Sequence, residues 1–295
     1  MNLRVAVTPK CNLRCFYCHR EGEEPHDSDE MRPEEIYRIA SVASELGIRN
    51  LKITGGEPLI RDDIADIVSH VSKVPNLNDV SMTTNGTLLA GKARELKACG
   101  LRRVNISLVS LNKDTYSQST GGRLEDALRG IEDAISAGFE PIKINALILN
   151  GTNTGEIEDF IRFAGNQGVI LQLIELESVN LGHSIYNKFH YPLNDIELKL
   201  STQASSIEHR GLMQNRRIYH LPGKTVEVVR HTEGTKFCLR CTRLRVTSDG
   251  KLKPCLLRGN NLVDILTPMR NGASDRDLKE IFLKAIELRE PYYET

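Results

Sequence analysis

The sequence predicts an α/β fold built on a parallel sheet. Three observations carry that prediction: six short strand-like runs alternate with helical patterns, four of the helices run into a glycine, and residues of chemical character collect where the strands end. An open doubly wound sheet and a partial six-stranded barrel both satisfy the alternation. The placement of the motifs at one end of the strands favours the barrel.

Residues 3–8 (LRVAVT) form the first expected strand. A helix is expected over about 33–46, where Pro33 suits the first turn, Ile36, Ile39, Ala40, Ala43 and Leu46 recur at helical spacing, and Gly47 ends the run. Further strands are expected at 50–54 (NLKIT), 79–84 (DVSMTT), 103–108 (RVNISL), 142–149 (IKINALIL) and 170–176 (ILQLIEL). Helical patterns lie between them near 62–74, 88–99, 124–137 and 155–167, with Gly100, Gly138 and Gly168 following as C-terminal glycines. The strands read as nearly all apolar, which predicts burial on both faces.

The rhythm stops after about residue 178. A helix over 194–202, a strand TVEVVR (225–230), a hairpin within RLRVTSDGKLKPC turning at Ser248-Asp249-Gly250, and a last amphipathic helix over 275–289 complete the expected elements. The expected units are residues 1–215, the barrel, and residues 216–295, a C-terminal region.

Composition narrows the function. The 295 residues carry 39 Lys+Arg and 39 Asp+Glu, so no global basic footprint points to nucleic acid. No apolar run approaches the roughly 18 residues of a membrane span, and MNLRVAVTPK has no signal-like apolar core. The expectation is a soluble cytoplasmic protein with neither nucleic-acid nor membrane partner. Seven cysteines in a reducing compartment then argue for metal or catalysis rather than disulfides.

Their distribution matters most. Cys11, Cys15 and Cys18 are spaced C-x3-C-x2-C; Cys238, Cys241 and Cys255 form a second triad, C-x2-C-x13-C; Cys99 stands alone and reads as a packing residue. Structural zinc takes four ligands, usually as paired short spacings. Three thiolates from one loop suit an iron–sulfur cube with one iron left open, and spacing alone favours that over zinc without deciding it. Strand ends carry TGGEP (54–58), TTNG (83–86), NISL (105–108), KIN (143–145) and IELE (174–177), a coincidence that argues for one shared site. Arg243 and Arg245, two apart on an expected strand beside the second triad, share a face and suit phosphate or carboxylate; the plainer reading is a charged edge strand.

CNLRCFYC followed by GGEP resembles the radical S-adenosylmethionine (SAM) superfamily, and CTRLRVTSDGKLKPCL together with CNLRCFYCHREGE resembles its GTP 3′,8-cyclase family of molybdenum cofactor biosynthesis, in an archaeal-like form. The resemblance runs from Leu3 to about Arg289. It implies a partial (β/α)6 radical SAM barrel with a C-terminal second cluster region. It implies two [4Fe-4S] clusters, one on Cys11, Cys15 and Cys18 with SAM on its open iron, the other on Cys238, Cys241 and Cys255 with the guanine of GTP on its open iron. Tyr17, Gly56, Glu57, Ser107 and Glu177 would contact SAM; Arg4, Lys52, Thr83, Lys143, Arg243 and Arg245 would surround GTP. The implied partners are an electron donor and a downstream cyclic pyranopterin monophosphate synthase.

The chain differs from the family's common pattern at several places. Lys52 replaces an arginine, Val109 an aspartate and Glu177 a methionine, and REPYYET stands where well-known members end on two glycines. Two other readings compete: a radical SAM enzyme acting on another substrate such as a peptide, with the second cluster as an electron relay, and a non-catalytic iron–sulfur or zinc protein.

Overall fold

The computed structural model describes residues 1–23, 26, 29–211, 216–230 and 240–290. The six expected strands form as β1 (Asn2–Ala6), β2 (Asn50–Thr54), β3 (Asp79–Thr84), β4 (Arg103–Ser107), β5 (Ile142–Ile148) and β6 (Ile170–Glu175). Six more follow among the described residues: β7 (Ser206–Arg210), β8 (Arg216–Leu221), β9 (Lys224–Val229), β10 (Arg243–Val246), β11 (Lys251–Lys253) and β12 (Val263–Asp264).

All twelve belong to one sheet in the order β12-β11-β10-β1-β2-β3-β4-β5-β6-β9-β8-β7. The eight strands from β10 to β9 run parallel, and the antiparallel pieces β11–β12 and β8–β7 finish the two edges. The C-terminal region thus extends the barrel sheet at both sides. Its hairpin β10–β11 forms as expected, with Gly250 at φ +74° in the turn. β10 lies between β1 and β11, which removes the edge-strand reading of Arg243 and Arg245.

The strands alternate, contrary to the expectation of two apolar faces. Leu3, Val5, Leu51, Ile53, Val80, Met82, Val104, Ile106, Ile144, Leu171 and Leu173 are buried in the core under the helices. The residues between them, Arg4, Lys52, Ser81, Thr83, Asn105, Lys143, Asn145 and Gln172, face an internal cavity. Parallel pairing keeps these polar residues in continuous rows: Arg245, Arg4, Lys52, Ser81 and Arg103 are successive cross-strand partners, as are Thr83, Asn105 and Lys143.

The cavity, about 350 Å³, is lined by β10 on one side and by β6 and Arg216 of β8 on the other. Laid flat, β10 and β6 would be about 29 Å apart at normal strand spacing. Their shared cavity shows a sheet curled into an unclosed barrel, with a polar bore and helices outside. The helix Pro33–Glu45 buries Ile36, Ile39, Ala40 and Ala43 as its spacing predicts. Its Glu35 receives Arg270 Nε at 2.8 Å, which ties the C-terminal region to the barrel wall.

Candidate active site

The loop after β1 carries Cys11, Cys15 and Cys18, and all three line the bore at the carboxyl end of the strands. Backbone bonds fix the loop on two neighbours. Gly56 N–H donates to Thr8 O and Glu57 N–H to Lys10 O, each at 2.8 Å; Arg14 N–H donates to Thr120 O at 2.8 Å, at the end of the helix Lys113–Thr120. The glycine pair is required for this approach. A Cβ on Gly56 would lie 2.1 Å from Lys10 O, and one on Gly55 2.5 Å from Thr8 O.

The thiols fit an iron–sulfur cluster. Leu13 N–H points at Cys11 Sγ and Arg20 N–H at Cys18 Sγ, both at 3.4 Å, as amides do toward cluster sulfurs. Burial raises the Cys11 thiol and pushes Cys15 up to about 11, so metal loading must release protons. Tyr17 lines the bore beside them and bonds Cys15.

Glu57 is placed differently from the expectation that it meets SAM. Its fully buried carboxylate accepts from Leu59 N–H at 3.1 Å, Thr84 Oγ1 at 2.6 Å and Asn85 N–H at 2.6 Å. It bridges the TGGEP and TTNG loops behind the bore wall. Burial raises its pKa to about 7 against the pull of those donors.

Deeper in the bore the other expected residues come together: Arg4, Lys52, Gly56, Thr83, Ser107, Lys143, Glu177, Arg243 and Arg245 all line it. Nine arginines and lysines face this space against four carboxylates, Glu21, Asp79, Glu175 and Glu177. Several of these cations are already paired. Lys143 and Arg216 flank Glu227, which is fully buried and held down to about 2 by them despite its burial; Arg103 pairs with Asp79. Lys52 and Arg243 have no ion pair among the described residues; Lys52 only donates to Asn105 Oδ1 at 2.8 Å. Burial, then the charges of Arg4, Arg103, Lys143 and Arg243, push the Lys52 amine well below its usual value.

Sequence reasoning missed Arg216, Arg103 and Glu21. The signal for Arg103 was the polar member of each alternating pair along its strand; Arg216 and Glu21 had none in local spacing. Of the second triad, Cys238 lies outside the described residues. Cys241 lies two residues before β10, and Cys255 lies two residues after β11. Leu256, next to Cys255, lines the bore. Cys241 therefore sits at the amino end of the parallel strands, opposite the loop of Cys11, Cys15 and Cys18.

Residues 5–164 match the radical SAM superfamily and residues 169–295 match Molybdenum Cofactor Synthesis C. A Thermococcus kodakarensis protein named probable GTP 3′,8-cyclase is 48% identical over 299 residues, covering 99% of this chain and 96% of its own. This chain belongs to the GTP 3′,8-cyclase family of radical SAM proteins. The GTP 3′,8-cyclase relative from Methanocaldococcus jannaschii is 42% identical over 293 residues, again across 99% of this chain and 96% of its own.

Among solved structures, SuiB of Streptococcus suis shares the fold with a TM-score of 0.67 at 16% identity, over 99% of this chain and 66% of that one. The protein anSMEcpe with bound AdoMet shares it with a TM-score of 0.64 at 16% identity, over 99% and 84%. The family is built on an iron–sulfur cluster and SAM. No helix of the described residues is long and apolar enough to cross a membrane.

Proposed function

We propose that this chain converts GTP to 3′,8-cyclo-7,8-dihydro-GTP, the first step of molybdenum cofactor biosynthesis. The observation that carries the reading is the bore itself: a row of cations, with Lys52 and Arg243 in no ion pair among the described residues, below the loop of Cys11, Cys15 and Cys18. A triphosphate of about four negative charges is the kind of ligand that compensates such a row, and the low-dielectric surroundings strengthen each contact.

Cys11, Cys15 and Cys18 would hold the first [4Fe-4S] cluster, with SAM lying against Tyr17, Gly56, Ser107 and Glu177. When bound and supplied with an electron, this group would provide the hydrogen-atom abstraction chemistry that the reaction needs. Cys238, Cys241 and Cys255, in the region 216–295, would hold a second cluster that would help bind the guanine. Arg4, Lys52, Thr83, Lys143, Arg243 and Arg245 would fix the triphosphate. The product would pass to a cyclic pyranopterin monophosphate synthase.

A peptide substrate with a relay cluster is the second reading. The inward pointing of Arg243 and Arg245 weighs against it, since a peptide gives no reason for that cation row. The test is anaerobic reconstitution followed by SAM, reductant and GTP, with 5′-deoxyadenosine and a cyclised GTP isomer measured by mass spectrometry. SAM cleavage that ignores GTP would sink the proposal. Cys255→Ala should lower the iron content, leave the first cluster and abolish the cyclised product.

A further inference from the structure

Glu21 lies three residues past Cys18, in the single turn Arg20–Gly22. Its φ is +51° and that of Arg20 is +48°, left-handed conformations that non-glycine residues adopt only at a cost. The turn throws the Glu21 carboxylate into the cation row. One oxygen accepts from Thr54 Oγ1 at 2.8 Å and from an Arg4 terminal nitrogen at 3.4 Å; the other lies 3.8 Å from Arg245 Nε. Arg4 and Arg245 are cross-strand partners, so both guanidinium groups meet this one carboxylate.

The fit is loose. That second Glu21 oxygen and Arg245 Nε are both buried, and neither has a hydrogen-bond partner among the described residues. A phosphate group offers more oxygens and more charge to two guanidinium forks than a single carboxylate does. It would satisfy Arg245 Nε, which Glu21 leaves unsatisfied, and would release the left-handed turn.

We propose that Glu21 is the resident counter-anion of the substrate's phosphate subsite: a positioning residue that holds Arg4 and Arg245 in the free enzyme and is displaced by a phosphate group of the substrate. The inference rests on reading the bore as a triphosphate site. Displacement frees a turn that is covalently continuous with Cys18, so occupancy of the phosphate subsite is felt in the segment leaving the cysteine loop.

The test uses the reconstituted protein and Glu21→Gln, titrated calorimetrically with inorganic tripolyphosphate and separately with GTP. Glu21→Gln removes the competing charge and should bind tripolyphosphate about tenfold more tightly. In the unmutated protein, saturating tripolyphosphate should speed amide hydrogen exchange across residues 19–23. Affinity that is unchanged or weaker in Glu21→Gln, or exchange across 19–23 that is unchanged or slower, overturns the proposal. If Glu21→Gln does not fold, the exchange measurement on the unmutated protein decides alone. Tripolyphosphate that behaves as stated while GTP fails to bind would overturn the GTP reading and leave this one standing.

Discussion

Gly56→Ala is expected to unseat the cysteine loop without touching a cysteine. The added Cβ would lie 2.1 Å from Lys10 O, 2.6 Å from Lys10 C and 2.8 Å from Pro9 O, all backbone atoms that no rotamer change can move away. Ordinary contact begins near 3.4 Å, so the segment leading into Cys11 must retreat by more than 1 Å. That retreat breaks the bonds from Gly56 N–H to Thr8 O and from Glu57 N–H to Lys10 O, both 2.8 Å. Two backbone bonds at about 1 kcal/mol each, plus about 1–3 kcal/mol of overpacking, give a loss of about 3–5 kcal/mol. The measurement is anaerobic denaturant unfolding of the reconstituted protein with iron content read in parallel. Gly155→Ala is the control, because its Cβ meets nothing within 4 Å and its φ is not positive. A Gly56→Ala protein within about 0.5 kcal/mol of the unmutated chain, with its iron retained, would refute the reasoning.

Glu227→Gln leaves Lys143 and Arg216 buried without their shared carboxylate, and should cost about 3–5 kcal/mol in unfolding experiments. Added GTP should restore more of that loss than it adds to the unmutated protein; equal stabilisation of both would count against a shared anion site. Arg243→Ala should weaken GTP binding by about 10–100-fold in calorimetry while SAM binding is retained. The Glu57 carboxyl is raised to about 7 in the folded chain, so the native state binds a proton that the unfolded state releases above its ordinary carboxylate range. Its stabilising contribution is full below that range and lost as pH rises through about 7. Melting curves of Glu57→Gln should lack this part of the pH dependence; an unchanged profile would show that Glu57 is ionised throughout.

Much of the fold was legible because glycine-terminated helices and short strands recur with little interruption. The misread concerned the strand faces. NLRVA, NLKIT and RVNIS alternate over their first four residues, but a short strand with two or three apolar residues resembles a doubly buried one unless every polar member is counted. The helix Lys113–Thr120 was missed because KDTYSQST has almost no apolar stripe; its Asn112 cap, which accepts from Asp114 and Thr115 N–H, was the available signal. β7 was missed because its residues are mostly exposed and carry no burial pattern. At the site, local motifs singled out Cys11, Cys15, Cys18 and the glycine pair, and all of them line the bore. Glu57 was misplaced because a strand-end carboxylate can turn into the bore or behind it, and only the loops it bridges decide which. Arg216 and Glu21 depend on how distant segments curl over the bore, which no local spacing records.

β1 lies between β2 and β10, and Asn2 is aligned with both Asn50 and Arg243. As the chain leaves the ribosome, β1 can pair with β2 after some fifty residues, but its other edge stays open until β10 is made. For most of synthesis the first strand carries an unpaired edge, and Arg4 waits for Arg245. Contacts of such sequence separation are slow to form. Completing the catalytic bore is therefore among the last events of folding, and a chain stalled before β10 exposes a sheet edge prone to association with other chains.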